Sequence, residues 1–171
     1  GGTADRRGVA PLTLIALLLA TLIALSGCGS SGTKETAAGE TEGGPDGEAA
    51  LEEVINSSLT EDTAKTISEI KVHSINGEYT VTIRTVAVGG LYMPDVIEQT
   101  AGPVFDKAKE LGLTISYYEV TEYSESNSEG ISNMIAWRSK DGKTGTYSDD
   151  TGEKPIVKPN TTLEDVRGFV E

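Results

Sequence analysis

The apolar residues of this chain fall into three regimes. From Pro11 to Leu25 they run together (PLTLIALLLATLIAL), interrupted only by Thr13 and Thr21. From residue 29 to 48 (GSSGTKETAAGETEGGPDGE) no large apolar side chain occurs. Only from Ala49 onward do apolar and polar positions alternate with the periods of helices and strands.

Within the third regime the clearest pattern is a period of two on both sides of Asn76-Gly77. This dipeptide favours a two-residue type I′ turn, and the turn sets the register. Ser74 then faces Tyr79, Val72 faces Val81 and Ile70 faces Ile83, which makes one face mostly apolar. Glu69, Lys71 and His73 face Arg84, Thr82 and Thr80 on the other, polar face. A half-buried hairpin over Glu69–Arg84 follows.

Helical spacing of Leu51, Val54, Ile55 and Leu59 predicts a helix over Ala49–Leu59. Pro94 opens a second helical pattern, with Ile97, Ala101, Val104, Ala108 and Leu111 on one stripe. Gly112 is placed to cap it, with Leu113 folding back, while Gly102-Pro103 should kink or split it. Strands are expected at Leu113–Tyr123, Ile131–Ser139 and Thr144–Ser148, the first two separated by the polar stretch SESNSEG. Thr162 and Asp165 have the spacing of a capping-box-like start for a last helix, Thr162–Val170. The order predicts an α+β domain, an antiparallel sheet of about four to five strands with helices packed on one face.

The first regime reads as an address. Arg6 and Arg7 precede the apolar run, which is shorter than the roughly 20 residues a membrane span needs and has the form of a secretory signal peptide. It ends in Leu25-Ser26-Gly27-Cys28. This sequence resembles the lipobox of bacterial lipoproteins. The resemblance implies cleavage between Gly27 and Cys28 and transfer of a diacylglyceryl group to the Cys28 thiol. In many bacteria the new amino terminus is acylated as well. Residues 1–27 would then be the signal peptide.

The mature protein would be held to the lipid membrane through acylated Cys28, on the outer face of the cytoplasmic membrane. In a two-membrane host it could sit on the outer membrane facing the periplasm, and Gly29 lacks the Asp that often marks inner-membrane retention. One acyl chain alone binds marginally, at about 0.8 kcal/mol per buried methylene, whereas two or three hold stably. The alternative is an uncleaved N-terminal anchor helix with an incidental cysteine.

Residues 28–48 comprise the lipidated cysteine and a linker with six Gly and five Ser or Thr. Such a segment cannot bury enough surface to offset its ordering entropy and is expected to be disordered. Its root-mean-square reach is roughly 25 Å. Residues 49–171 are long enough for one core and are expected to form a single extracytoplasmic domain.

Charge narrows the function. The chain carries 14 Lys plus Arg against 27 Asp plus Glu, net −13, the wrong sign for a nucleic-acid footprint. Residues 49–171 hold 11 of the former and 21 of the latter, so the acidity belongs mainly to the domain. One Cys and one His exclude an internal disulfide and a His-rich metal centre. Ser68-Glu69-Ile70-Lys71, Ser74-Ile75-Asn76 and Lys143-Thr144-Gly145 match the three motifs of penicillin-binding proteins and β-lactamases. The match fails physically, because Lys71 lies in the hairpin, where positions three apart point to opposite faces. His73 has no adjacent acid in the hairpin register to orient it as a base.

Two groups of candidates remain. Tyr117, Tyr118, Tyr123 and Trp137 are a candidate binding surface; Tyr117 and Tyr118 must point to opposite faces unless a bulge intervenes. Asp141, Asp149, Asp150 and Glu153 are a candidate acid cluster or weak calcium site, although the spacing is not that of an EF-hand loop. The expected function is a membrane-anchored, non-catalytic binding module without cofactor, holding another envelope protein or a cell-wall component. The alternatives are a small hydrolase using those carboxylates, or a small-ligand site between the sheet and the helix near Gly102-Pro103.

Overall fold

A computed structural model describes residues 45–87, 89–124 and 134–170. Cys28 and Gly27, like the whole signal and most of the linker, lie outside the described residues. The described elements run α1 (Pro45–Ser58), α2 (Glu61–Ala64), β1 (Ile67–Ile75), β2 (Glu78–Ala87) and α3 (Met93–Leu111). They continue with β3 (Thr114–Ser124), β4 (Met134–Ser139), β5 (Gly145–Asp149), β6 (Ile156–Thr161) and α4 (Leu163–Val170). Helix α1 starts four residues before the boundary expected at residue 49.

The class is α+β, but the sheet has six strands in the order β1-β2-β3-β4-β5-β6, not four to five. The hairpin forms in the predicted register, with Ile70, Val72 and Ser74 opposite Ile83, Val81 and Tyr79. Asn76 and Gly77 both take positive φ, 53° and 80°, as a type I′ turn demands.

One pair departs from the antiparallel expectation: β2 and β3 are parallel. The cause is the length of α3. Its 19 residues rise roughly 28 Å at 1.5 Å each, close to the roughly 33 Å of a ten-residue strand. The helix thus returns the chain to the starting end of β2. From β3 to β6 every pairing is antiparallel.

Gly102-Pro103 neither splits nor ends α3, which is a single helix with Pro103 inside. Its buried residues Val96, Ile97, Ala101, Val104 and Ala108 span the proline on both sides, and this packing outweighs the lost amide donor. Gly102 is exposed and Pro103 only half-buried, so the pair lies on the outer side of the helix rather than over the sheet. That placement removes it from the proposed ligand site between the two. Gly112 closes α3 in the left-handed conformation, and the Leu113 amide donates to the Ala108 carbonyl at 2.8 Å. At α4, Thr162 and Asp165 cap each other reciprocally.

The sixth strand, β6, lies where Pro155 and Pro159 argue against a strand. It is an edge strand, where a missing amide donor leaves no ladder bond unmade. The core lies on one face of the sheet. Leu51 and Ile55 of α1, Val96 and Val104 of α3 and Val166 of α4 pack there with Val81, Ile83, Tyr118, Val120 and Trp137 of the strands. Among the described residues no helix is long and apolar enough to cross a membrane.

Candidate functional site

Among the described residues no helix covers the opposite face of the sheet, and strand register decides what stands on it. One row crosses β2, β3, β4 and β5 through Arg84, Thr121, Ala136 and Ser148. The next crosses through Thr82, Glu119, Arg138 and Thr146. Tyr123 and Met134 pair beyond the first row, towards one end of the sheet. Thr121 and Ala136 are short, and their larger neighbours shadow them so that each is only 4% and 6% exposed. They form the floor of a hollow of about 480 Å³ whose walls include Arg84, Glu119, Tyr123, Met134 and Arg138.

Each arginine of the hollow is fixed by an acid and a ring. Arg84 Nη1 lies 3.0 Å from Glu69 Oε2, and its guanidinium lies 6.0 Å from the centre of the Tyr123 ring. Arg138 Nε and Nη2 each lie 2.7 Å from Glu119 Oε2, and its guanidinium lies 4.4 Å from the centre of the Tyr117 ring. Such stacking holds a planar cation without consuming all its donors. Thr121, Thr146 and Ser148 add hydroxyls. Among the described lining residues the one acid is Glu119, and it is engaged by Arg138.

The candidate aromatic surface divides by face. Tyr117 and Tyr123 stand on the open face, as alternation requires. Tyr118 and Trp137 do not belong to a surface; both are 0% exposed. They meet edge to face, with ring centres 6.3 Å apart, in the helix-covered core. Burial pushes the Tyr118 phenol pKa well above its ordinary value, while its hydrogen bond with the Thr100 hydroxyl, at 2.7 Å, works the other way.

The acid candidates do not converge. Asp141 Oδ1 accepts from the amides of Lys143 and Thr144, both at 2.8 Å. These bonds hold its carboxyl down to about 2. At Asp149 burial works to raise the pKa, but the hydroxyl and amide of Thr151 and the Tyr147 hydroxyl hold it below the ordinary value. Asp150 and Glu153 are exposed. Among the described residues no group of three or more His, Cys, Asp or Glu side chains is placed to hold a metal ion. Asp141 and Asp149 thus lock turns, the work Asp does most often in such loops.

Removing the turn bonds at Asp141 has a predictable cost. We expect Asp141→Ala to lower the unfolding free energy by about 1 kcal/mol at neutral pH, the worth of an ordinary hydrogen bond. A depressed folded pKa contributes stability above the unfolded value of 3.8 and loses it as pH falls towards about 2. The gap between the two proteins should therefore close in acid, which urea titrations at neutral pH and near pH 2 would show.

His73 faces Thr80 as predicted. Its Nδ1 lies 3.7 Å from Glu48 Oε1 on α1, an acid the hairpin register alone does not reveal. The same Glu48 oxygen accepts from the Ser74 amide at 2.7 Å, so the carboxylate ties α1 to β1.

One buried group escapes sequence reasoning. Glu122 sits on the helix-covered face, 1% exposed. Its Oε2 accepts from the amides of Tyr92 and Met93, at 2.9 and 2.5 Å, at the start of α3. Its Oε1 is buried with no hydrogen-bond partner. Nothing in the local pattern of β3 singles it out; only the parallel return of the chain brings the helix terminus to it.

Comparison with protein-family models, curated proteins and solved structures gave no match.

Proposed function

We propose that the chain is a bacterial lipoprotein, held by acylated Cys28 at the outer face of a membrane, whose domain works as a non-catalytic binding module. The partner is another envelope protein or a cell-wall component, and it docks on the open face of the sheet. The observation that carries this reading is the one-sided cover of the sheet, which leaves a hollow floored by Thr121 and Ala136 and walled by fixed arginines and tyrosines. Large side chains could have filled that floor without disturbing the core, which lies on the other face.

In-cell crosslinking of the tagged full-length chain tests the reading. A large side chain placed in the hollow by Ala136→Phe is expected to lower recovery of the crosslinked partner at least about tenfold, with an unchanged unfolding curve. Cys28→Ser is expected to release the protein from the membrane fraction. Recovery of the same partner at the same level with Ala136→Phe would reject the open face as the docking surface.

A further inference from the structure

We propose that the hollow receives an extended acidic peptide segment, with carboxylates of the segment gripped by Arg84 and Arg138; this rests on the reading of the open face as the docking surface. The described residues contain three arginines, Arg84, Arg138 and Arg167, and two of them line this hollow with Glu119 as its one acid. Each guanidinium is balanced by one carboxylate, Glu69 or Glu119, so the hollow is a locally neutral place in a predominantly acidic domain. An anionic segment would be repelled by most of the domain and least at this place.

A guanidinium carries five N–H donors in a planar fork that matches a carboxylate. Glu69 engages one nitrogen of Arg84, and Glu119 engages two of Arg138 through a single oxygen. Both cations keep donors for a ligand; the Glu69 pair restricts those of Arg84, and the Glu119 pair with stacking on Tyr117 restricts those of Arg138. The order already present in the free protein lowers the entropy lost on binding.

Arg84 and Arg138 stand two strands and two residues apart, which places their backbones roughly 12 Å from each other. Alternate side chains of an extended peptide project on one face about 6.6 Å apart. Two long arginine side chains lining the hollow from β2 and β4 can reach such a pair. Thr146 and Ser148, on the same face, offer hydroxyls to the peptide backbone.

The aromatic side chains distinguish this ligand from a sugar. Stacking a pyranose needs a bare ring face, and one face of Tyr117 is taken by the Arg138 guanidinium. The chemistry offered beside it is spare guanidinium N–H donors and hydroxyls.

The test measures binding of a labelled hexaglutamate peptide to the full-length chain by fluorescence anisotropy, with hexalysine and polygalacturonate as comparisons. Saturable binding of hexaglutamate that weakens with added salt is expected. Arg84→Gln, Arg138→Gln and Ala136→Phe should each weaken it at least about tenfold, while Arg167→Gln leaves it unchanged. Ala136→Phe keeps both arginines, so it separates loss of the site from any unfolding caused by an unpaired Glu119.

Equal binding by the arginine variants, or tighter binding of polygalacturonate through the same residues, would overturn the peptide assignment. No binding of hexaglutamate, while the crosslinked partner still depends on Ala136, would overturn the assignment and leave the docking face standing. A partner indifferent to Ala136→Phe would remove both.

Discussion

Replacing Trp137 by Ala is expected to lower the unfolding free energy by about 3–5 kcal/mol, the range for large aromatic truncations in cores. The indole is fully buried and packs edge to face on Tyr118. Its Nε1 donates to the Thr161 hydroxyl at 3.2 Å, joining β4 to β6 across β5. Gly145 on the intervening strand makes room for it, since a Cβ there would come within 2.6 Å of the ring. The substitution therefore opens a cavity, removes a ring pair and leaves the Thr161 hydroxyl without that donor.

Domains of this size are commonly stable by about 5–15 kcal/mol, so the loss takes a large part of the margin. Tyr117→Ala and Tyr123→Ala, on the open face, should each cost less than about 1 kcal/mol. Urea unfolding followed by circular dichroism compares the three. An unchanged midpoint for Trp137→Ala would place the indole outside the core.

That contrast shows what kind of information the sequence holds. Alternation requires Tyr117 and Tyr118 to face opposite ways, and they do, but a period of two does not say which face the helices cover. The choice follows from α1 and α3, whose apolar stripes meet the face carrying Val81, Ile83 and Val120. The hairpin is legible to the residue because Asn76-Gly77 fixes both turn and register within a few positions. The hollow is not, because its floor comes from Thr121 and Ala136 on different strands. Their adjacency depends on the β3–β4 pairing. Its cations come from β2 and β4, which have β3 between them.

Nonlocality also explains the missed strand and the missed parallel pair. Pro159 lies within β6 and Pro155 just before it, and the edge position of the strand tolerates them. Nothing within β2 or β3 states their relative direction; the length of α3 does. The turn-forming role of Asp141 was readable from the KDGK context, whereas Glu48 beside His73 required α1 to be docked first.

Glu122 combines these strands of argument, and its substitution should produce two opposite results. Glu122→Ala is expected to lower stability by about 2 kcal/mol, because it leaves the buried Met93 amide and the Tyr92 amide without their acceptor. These donors begin α3, where the helix has no internal partners for them and its dipole favours a negative charge. Glu122→Gln keeps an oxygen for the amides and removes the charge.

The sign of the pH effect follows from the carboxyl's surroundings. Burial pushes the Glu122 pKa above its ordinary 4.5, the Met93 and Tyr92 amides pull it down, and the Asp95 charge pushes it up, with a net rise. A raised folded pKa means that the native state holds its proton more tightly than the unfolded chain. Its contribution to stability is complete below the unfolded value and is lost as pH rises through the folded one. Gln cannot ionise and shows no such loss. The difference between Glu122→Gln and the parent protein should therefore move in favour of Gln as pH rises from about 4.5, then level off once the native carboxyl is ionised.

Asp141 and Asp149 have depressed values and act in the opposite direction at lower pH, so the parent protein should be most stable between the two windows. Urea titrations of the parent, Gln and Ala forms from about pH 3 to about pH 8 resolve these windows. A Gln-minus-parent difference that stays constant across that range would mean that the amides and helix dipole fully offset the burial of the charge. A difference that moves against Gln as pH rises would make the ionised carboxylate a net stabilising cap on α3.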